Sequence, residues 1–389
     1  METADKLKIT ATQMHLEPAE EVGPQVAPCG QVIPLGDLLP RQSSLGIFQA
    51  AVGGKTVPIL KTLLTSACER DCYYCPFRAG RNYRRTTFKP EEMAQTVSDM
   101  QRAGLINGLF LSSGIIKGGM RTQDKLIETA EILRKKHQFK GYLHLKIMPG
   151  AEEAQVERAM QLADRLSINL EAPNEKRLAA LAPKKEFFEE LLQPLKWVEQ
   201  IRRSQAAQKG WNGRWPSSVT QFVVGAAGET DLELLQTAEY LYKELRLGRT
   251  YFSAFSPISD TPLENLPAEN PLRQHRLYQA SFLFRDYGFD LEEMPFDQRG
   301  NLPLAEDPKM AWAQAELLEN PVEVNRASRD ELLRVPGIGP KSAQRIVQER
   351  RHNKLRDLQD LRAIGVPTKR MELFVLVDGK RPLRQLRLF

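Results

Sequence analysis

The chain is predicted to be an α/β protein: a partial barrel of six βα units with a small all-α domain at its C-terminal end. Three observations predict this. Between about residues 58 and 255, short apolar runs alternate with amphipathic stretches of helical length, and parallel strands need such helical crossovers. Three of the four cysteines, Cys68, Cys72 and Cys75, crowd into eight residues just after the first apolar run. Residues 321–389 hold 16 Lys+Arg against 8 Asp+Glu, whereas the rest of the chain holds 39 against 41.

In order, residues 1–55 read as an irregular N-terminal extension that wraps the next domain, with Pro18, Gly23, Pro24, Pro28, Gly30, Pro34 and Pro40 spread along it. Cys29 lies there, most simply as a thiol without a role. Ile59 to Leu64 reads as a strand leading into the cysteine loop, and Pro90 to Arg102 as a helix with Pro90 in its first turn. A strand at Gly108–Ser112 precedes a charged helix at 121–136, and a strand at Tyr142–Ile147 precedes a helix at 151–163. Arg165 to Leu170 is a strand followed by helical stretches through 203. Val219–Val224, a helix at 230–245 and Thr250–Phe255 complete the alternation before a loop with Pro257 and Pro262. The expected domains are thus an extension (1–55), a partial barrel (56–270), a connector packing on the barrel (271–320) and a helical module (321–389).

The 389 residues are 41% hydrophobic and 27% charged, which suits a folded globular protein. No run of about 18 apolar residues suggests a membrane span, and the start Met1-Glu2-Thr3-Ala4-Asp5-Lys6 lacks the apolar segment of a secretory signal. A cytoplasmic protein is expected, with no membrane partner. The excess of +8 in the last 69 residues points to a polyanion partner for that segment; a merely solvated basic surface is the alternative.

Three thiolates can hold three irons of a 4Fe–4S cubane and leave the fourth iron open, and an open metal can bind a substrate or cofactor directly. Structural zinc also tolerates the Cys68-x3-Cys72-x2-Cys75 spacing, but it needs a fourth ligand. Cys29 is 39 residues upstream and the nearest downstream histidine is His137. A disulfide would need an oxidising compartment, which nothing at the N-terminus implies.

This spacing, with Tyr74 just before the last cysteine, resembles the signature of the radical S-adenosylmethionine (SAM) superfamily. The resemblance implies a radical SAM barrel and a 4Fe–4S cluster whose open iron chelates the amino and carboxylate groups of SAM. One electron from the cluster would then cleave a carbon–sulfur bond to give a 5′-deoxyadenosyl radical. It implies, further, that backbone groups of Ser113 and Gly114 meet the SAM amino group, although the Gly-Gly-Glu of many members is absent here. Alternation puts Asn169 and Glu171 on one strand face, where both could accept hydrogen bonds from ribose hydroxyls; a bare strand end is the alternative. Gly225 would let the backbone approach adenine or ribose closely, and Tyr74 would pack on the adenine or simply form the wall beside the cluster. After the cluster, Arg78, Arg81, Arg84 and Arg85, with Tyr83 among them, read either as substrate-phosphate contacts or as a solvated basic loop. No catalytic residue beyond the cluster is assigned.

In the C-terminal segment, Leu332 to Val347 looks like a helix-hairpin-helix motif. Asp330–Val335 and Lys341–Arg351 are its helices, Gly337 and Gly339 permit the turn, and Ala343 lets the helices approach. Leu333, Ile338, Ile346 and Val347 supply the internal contact. The start of the second helix would present backbone amides to a DNA or RNA phosphate, with Gly337, Ile338 and Gly339 forming the hairpin and Lys341 and Arg345 adding charge. A degenerate copy follows through Leu358, Leu361, Ile364-Gly365-Val366-Pro367 and Lys369-Arg370, with Pro367 in place of a glycine. A purely structural helical cap is the alternative for the whole module.

A radical SAM barrel followed by a helix-hairpin-helix tail is similar to a bacterial group named for DNA modification or repair. That resemblance covers nearly all of the chain beyond residue 50 and implies DNA as partner, with RNA the alternative. It also implies a reductant such as flavodoxin or ferredoxin and a neighbouring uracil-DNA-glycosylase-like protein. Three functions follow: radical chemistry on DNA, radical modification of tRNA or another RNA, and non-catalytic redox sensing on DNA.

Overall fold

The computed structural model describes residues 2–11, 14, 17, 45–52 and 54–382. Cys29 lies outside them. The chain divides into two compact units, one of residues 1–229 and 243–269, the other of residues 230–242 and 270–389.

The first unit is built on a seven-stranded sheet whose spatial order is the chain order. Six strands are parallel: β2 (Lys55–Leu63), β3 (Gly108–Ser112), β4 (Tyr142–Lys146), β5 (Arg165–Ser167), β6 (Ser217–Val224) and β7 (Arg249–Ala254). An antiparallel strand, β1 (Ile47–Val52), pairs with β2 at the edge. Helices α2 (Pro90–Arg102), α3 (Gly119–Glu131), α4 (Glu153–Leu162), α5 (Glu175–Leu181) and α6 (Gln193–Ser204) alternate with the strands, and α7 (Asp231–Leu245), between β6 and β7 in the chain, belongs to the second unit as far as residue 242. The result is a partially closed βα barrel, the architecture expected, with β1 added.

The stretch 1–55 is not irregular throughout. It contains helix α1 (Thr3–Ala11) and β1. Their signals are short: β1 is six residues without charge, and α1 is held by Thr10, whose hydroxyl meets that of Thr62 at 2.7 Å. Met14 is buried with Phe48, Ile59, Leu63 and Phe110. Three helical stretches end or begin in π-helical turns, at Ile132–Lys136, Phe187–Leu192 and Leu283–Tyr287, which residue periodicity does not reveal.

Side chains alternate across the sheet. Leu109, Leu111, Leu143, Leu145 and Leu166 are fully buried. The opposite face carries polar groups, and the register aligns Lys61, Phe110, His144 and Arg165 in one row. Lys61 is fully buried there, its ammonium 4.7 Å from the Phe48 ring centre and 5.9 Å from that of Phe110. Arg134 fastens the other end of the barrel. Its guanidinium donates to the carbonyls of Leu162 (3.0 Å), Phe139 (2.7 Å) and Gly141 (2.9 Å), pairs with Asp164 at 2.9 Å, and lies over Trp211.

The second unit holds α8 (Pro271–Phe282), α9 (Pro308–Glu316), α10 (Arg329–Arg334), α11 (Pro340–Glu349) and α12 (Leu358–Ala363). Among the described residues it adds a two-residue parallel pairing of β8 (Val322–Glu323) with β9 (Val375–Leu376) and a single antiparallel bridge between Val377 and Lys380. The two sequence copies superimpose in pattern: Leu333 and Leu361, Ile338 and Val366, Ala343 and Met371, and Ile346 and Phe374 are all buried in one core. Only the first copy has both helices; after Thr368 the second continues in turns. Ala313 and Leu317, from and just after α9 in the stretch read as a connector, are buried in the same core. Among the described residues, no helix is long and apolar enough to cross a membrane.

Replacing Arg134 by Met removes four hydrogen bonds and leaves the Asp164 carboxylate short of its buried partner. Arg134→Met should destabilise the barrel by about 3 kcal/mol or more, read as a lowered urea midpoint of the barrel transition.

Candidate functional site

The site forms where the parallel strands end at their C-terminal edges, as barrel geometry favours. The loop from Thr65 to Thr87 leaves β2 and returns on itself: the two threonine hydroxyls lie 2.7 Å apart, and the Ser66 N–H donates to the Thr86 carbonyl at 3.0 Å. The cysteines sit within this loop. It is fastened to the turn after β3, where Glu69 N–H donates to Ile115 and the Glu69 carboxylate accepts the amides of Lys117 and Gly118, each at 2.9 Å. Gly114 makes the close approach possible. A Cβ there would stand 2.2 Å from the Ala67 carbonyl oxygen.

Cys68, Cys72 and Cys75 line one cavity. Cys68 Sγ accepts the amides of Arg70 and Ile115, and Cys75 Sγ that of Phe77, each at 3.4 Å. Burial pushes the Cys72 and Cys75 thiols up, while the Lys185 charge opposes that rise at Cys72. Among the described residues, no three His, Cys, Asp or Glu side chains are grouped to hold one metal ion. A cubane makes no such demand, because each thiolate takes a different iron. Three thiols lining one cavity, with amide donors to two of the sulfurs, therefore fit a cluster.

The same cavity is lined by Tyr74, Ser113, Gly114, Asn169 and Glu171, so these five predicted positions are brought together. Their details differ from the sequence reading. Strand β5 stops at Ser167, and Glu171 has a left-handed backbone with φ 64°; strict alternation does not carry it to the site. Its N–H donates to Gln221 at 2.9 Å and its carbonyl accepts from Val223 at 2.8 Å. Asn169 donates its amide to Gln221 Oε1 at 3.2 Å. The Gly114 N–H is bound to the Thr65 carbonyl (2.7 Å), and the Gly114 carbonyl accepts the Ser113 hydroxyl (2.7 Å). Gly114 is therefore required by packing against the cysteine loop, whatever else its backbone does.

Glu171 pairs with Lys185 at 3.0 Å and accepts the Tyr74 hydroxyl. Burial alone would raise its carboxyl, but the Lys185 and Lys146 charges and these hydrogen bonds hold it below the usual range. Lys185 is buried, which works against its charge; Cys72 and Glu171 nonetheless carry its proton affinity well above that of an ordinary lysine. Burial, then Glu171, push the Tyr74 phenol up. Lys146 pairs with Glu17 at 2.6 Å, and both line the cavity. Sequence reasoning missed Lys185, Lys146, Gln221 and Glu17, since none belongs to a motif. Lys146 alone left a signal, as a lysine ending an apolar strand.

Two predicted groups fall elsewhere. Gly225 is not among the cavity's lining residues. Its φ of 91° and the crowding of Glu269, 2.2 Å from where a Cβ would lie, explain the glycine without a ligand. The arginine-rich loop holds itself: Arg85 donates to the carbonyls of Phe77 (3.3 Å), Arg78 (2.8 Å) and Arg81 (3.2 Å), and Arg81 to those of Ser259 (3.0 Å) and Pro76 (2.9 Å). Arg78 donates to the Asp71 carbonyl. The Tyr83 ring lies beneath the guanidiniums of Arg81 and Arg85, and burial pushes its phenol up to about 12. Arg78, Arg81 and Arg85 thus help to close the cysteine loop. Arg84 is exposed.

In the second unit, Gly337 turns the first hairpin with φ 87°, while Gly339, the cap of α11, has an ordinary φ of −103°. Only Gly337 needs glycine for its conformation; at Gly339 the Tyr287 hydroxyl lies 3.3 Å from where a Cβ would stand and favours the small residue. The Ile338 side chain is buried and its carbonyl accepts the Lys309 ammonium at 2.7 Å. The Ile338 side chain thus shapes the hairpin from inside. Lys341 is exposed at the start of α11. Arg345, also exposed, donates to the Gly365 carbonyl at 3.1 Å and so ties the two copies together.

Residues 62–241 match the family model described as the Radical SAM superfamily, and residues 319–369 match that of the helix-hairpin-helix motif. The chain therefore carries a radical SAM domain followed by a helix-hairpin-helix module, and its cofactors are a 4Fe–4S cluster and SAM. Similar solved structures include a methylornithine synthase, 13% identical with TM-score 0.46, the match covering 58% of this chain and 61% of that one. The FeFe-hydrogenase maturase HydG from Carboxydothermus hydrogenoformans is 16% identical with TM-score 0.45, covering 58% and 51%. A radical SAM methyltransferase, TsrM, from Kitasatospora setae is 12% identical with TM-score 0.39, covering 56% and 39%. The chain thus spans less than two thirds of the length of each of these proteins. No curated protein matches.

Anaerobic reconstitution should load about four irons and four sulfides per chain. Cys68→Ala, Cys72→Ala and Cys75→Ala should each abolish this, and so should Gly114→Val, whose side chain drives the cysteine loop off β3. Iron and sulfide analysis reads the outcome; stoichiometric zinc with no iron uptake would contradict it.

Proposed function

We propose that this protein is a radical SAM enzyme that modifies nucleic acid, held by its helix-hairpin-helix module through phosphates. One observation carries the reading: a cavity walled by three cysteines and an open amide-bearing helix start occur in the same chain.

In this reading Cys68, Cys72 and Cys75 hold the cluster, and amides donated to Cys68 and Cys75 stabilise their thiolate charge. When bound, the cluster and SAM supply a 5′-deoxyadenosyl radical able to abstract hydrogen from an unactivated C–H bond. Asn169 and Glu171 hold the ribose hydroxyls, with Lys185 keeping Glu171 ionised as an acceptor. Ile147, Met148, Leu191, Phe255 and Ile258 form apolar walls that limit water around the reacting atoms.

The grip on nucleic acid comes from α11. Pro340 at its first position has no N–H, and the amides of Lys341 and Ser342 precede the first internal bond, from Ala343 to Gly339. These amides and the Lys341 charge suit a phosphate. The second copy lacks a matching helix, so one hairpin carries the contact. Amides that bind phosphate read no base. DNA is the first substrate reading, from the module type, and RNA the second, because this contact is equally open to an RNA backbone.

Reduced protein should convert SAM to 5′-deoxyadenosine, and nucleoside mass spectrometry of DNA and RNA incubated with it should show one altered nucleoside. Lack of SAM cleavage by cluster-loaded protein would sink the enzymatic reading and leave redox sensing. Asn169→Ala should weaken SAM binding about five- to tenfold, the worth of one hydrogen bond of about 1–1.5 kcal/mol, with iron content intact.

Binding of duplex DNA and of RNA across a salt series should give a log–log slope near roughly −1.8 for about two duplex phosphates. Gly337→Val should raise the dissociation constant about tenfold or more, because the turn needs a left-handed residue. Lys341→Ala should lower the slope by about 0.9. Equal binding by all three proteins would make the module a structural cap.

A further inference from the structure

We propose that Lys185 sets the reduction potential of the iron–sulfur cluster, with Glu171 as its counterweight. The inference rests on the reading that Cys68, Cys72 and Cys75 hold that cluster.

The position of Lys185 is built rather than incidental. It lies just beyond α5, far in sequence from the cysteines, yet its loop is tied to theirs at several points. The Tyr73 N–H, inside the Cys72-x-x-Cys75 run, donates to the Leu181 carbonyl at 2.7 Å. Lys184 pairs with Asp71 at 3.3 Å. Arg70 donates to the Lys184 carbonyl and pairs with Glu190. Between these ties the Lys185 side chain, only 9% exposed, reaches the cavity that the three cysteines line. Pro183 ends α5 and turns the chain toward the cysteine loop.

A cluster held by three thiolates becomes more negative by one charge on reduction. A fixed cation beside it, in a site largely closed to water, stabilises the reduced form, and a fixed anion does the reverse. The other cations lining the cavity are paired as well, Lys146 with Glu17 and Arg70 with Glu190. Lys185 and Glu171 stand together on the wall of the cavity that the cysteines line, one cation and one anion. Glu171 is itself oriented, by its left-handed backbone and by the Tyr74 hydroxyl. Lys185 and Glu171 both line the cavity with the three cysteines and pair with each other at 3.0 Å, so either charge can be removed while the other stays.

The test is a dithionite titration of reconstituted protein with redox mediators, at pH 8 and without SAM, followed by electron paramagnetic resonance. Leaving SAM out prevents a loss of SAM binding from imitating the effect. Lys185→Met should lower the reduced-to-oxidised ratio at a fixed potential at least about tenfold, about 59 mV for one electron. Glu171→Gln, nearly isosteric, should shift the potential the opposite way, and Lys185→Arg should stay close to the unaltered protein. Opposite signs are what a merely structural role would not give. Unchanged potentials, or shifts of the same sign in the Met and Gln variants, would overturn the proposal while leaving the cluster reading intact. If the unaltered protein takes up no iron, the cluster reading itself fails. If Lys185→Met alone loads no iron, the sign of the Glu171→Gln shift decides.

Discussion

The docking of the cysteine loop on the end of β3 is the constraint on which the rest of the first unit depends. A loop carrying three thiols has no core of its own, and its shape must be imposed from outside. Gly114 lets the two backbones come closer than any side chain allows, and Glu69 then clamps the next turn through two amides. On the opposite side, Arg85 and Arg81 draw the loop's carbonyls inward. The loop is held from both flanks, so its sulfurs keep a fixed place before any iron arrives. That is the order preorganisation requires: geometry first, chemistry afterwards.

Buried charge is the second theme. A half-closed barrel could have filled its inner face with leucine and valine, which would stabilise it more simply. This one instead buries Lys61 and Lys146 on its strands and Glu171 just after β5, with the Lys185 side chain, 9% exposed, reaching in from the loop after α5. Lys61 shares its site with the faces of Phe48 and Phe110 and so costs less to bury. The pairs Lys185–Glu171 and Lys146–Glu17 concentrate at the end where the cysteines lie. Charges so placed act through a low dielectric, where each weighs more on a bound ionic group than it would at the surface.

The barrel was legible in the sequence because its signals are long and repeated. Alternation recovered α2 and β3 residue for residue, and the cysteine triplet marked the site. What escaped has specific causes. Strand β1 and helix α1 are short elements inside a proline-bearing stretch, and local composition outweighed them. Glu171 was found for an imperfect reason: alternation placed it, but β5 ends at Ser167 and a left-handed turn brings it in. Lys185 left no trace, because its role exists only through contacts between loops more than a hundred residues apart. The arginine cluster at 78–85 shows a structural demand that density alone does not reveal. Arg78, Arg81 and Arg85 answer backbone carbonyls, most of them in their own loop, which no count of charges can disclose.

The helical module resolves a similar ambiguity through its asymmetry. Two copies of one pattern could mean two grips on a polyanion. Their buried positions match pair by pair, and Gly365 is left-handed as Gly337 is. But Arg345 reaches across from the first copy to the Gly365 carbonyl, and among the described residues no helix begins behind the second hairpin to offer free amides. Matching cores with unmatched helix starts separate two demands that the repeat combines. A single hairpin buries too little apolar surface to stand alone, so the second copy is retained for the core it completes. The phosphate contact proposed above needs only one open helix start, and among the described residues the first copy alone has one.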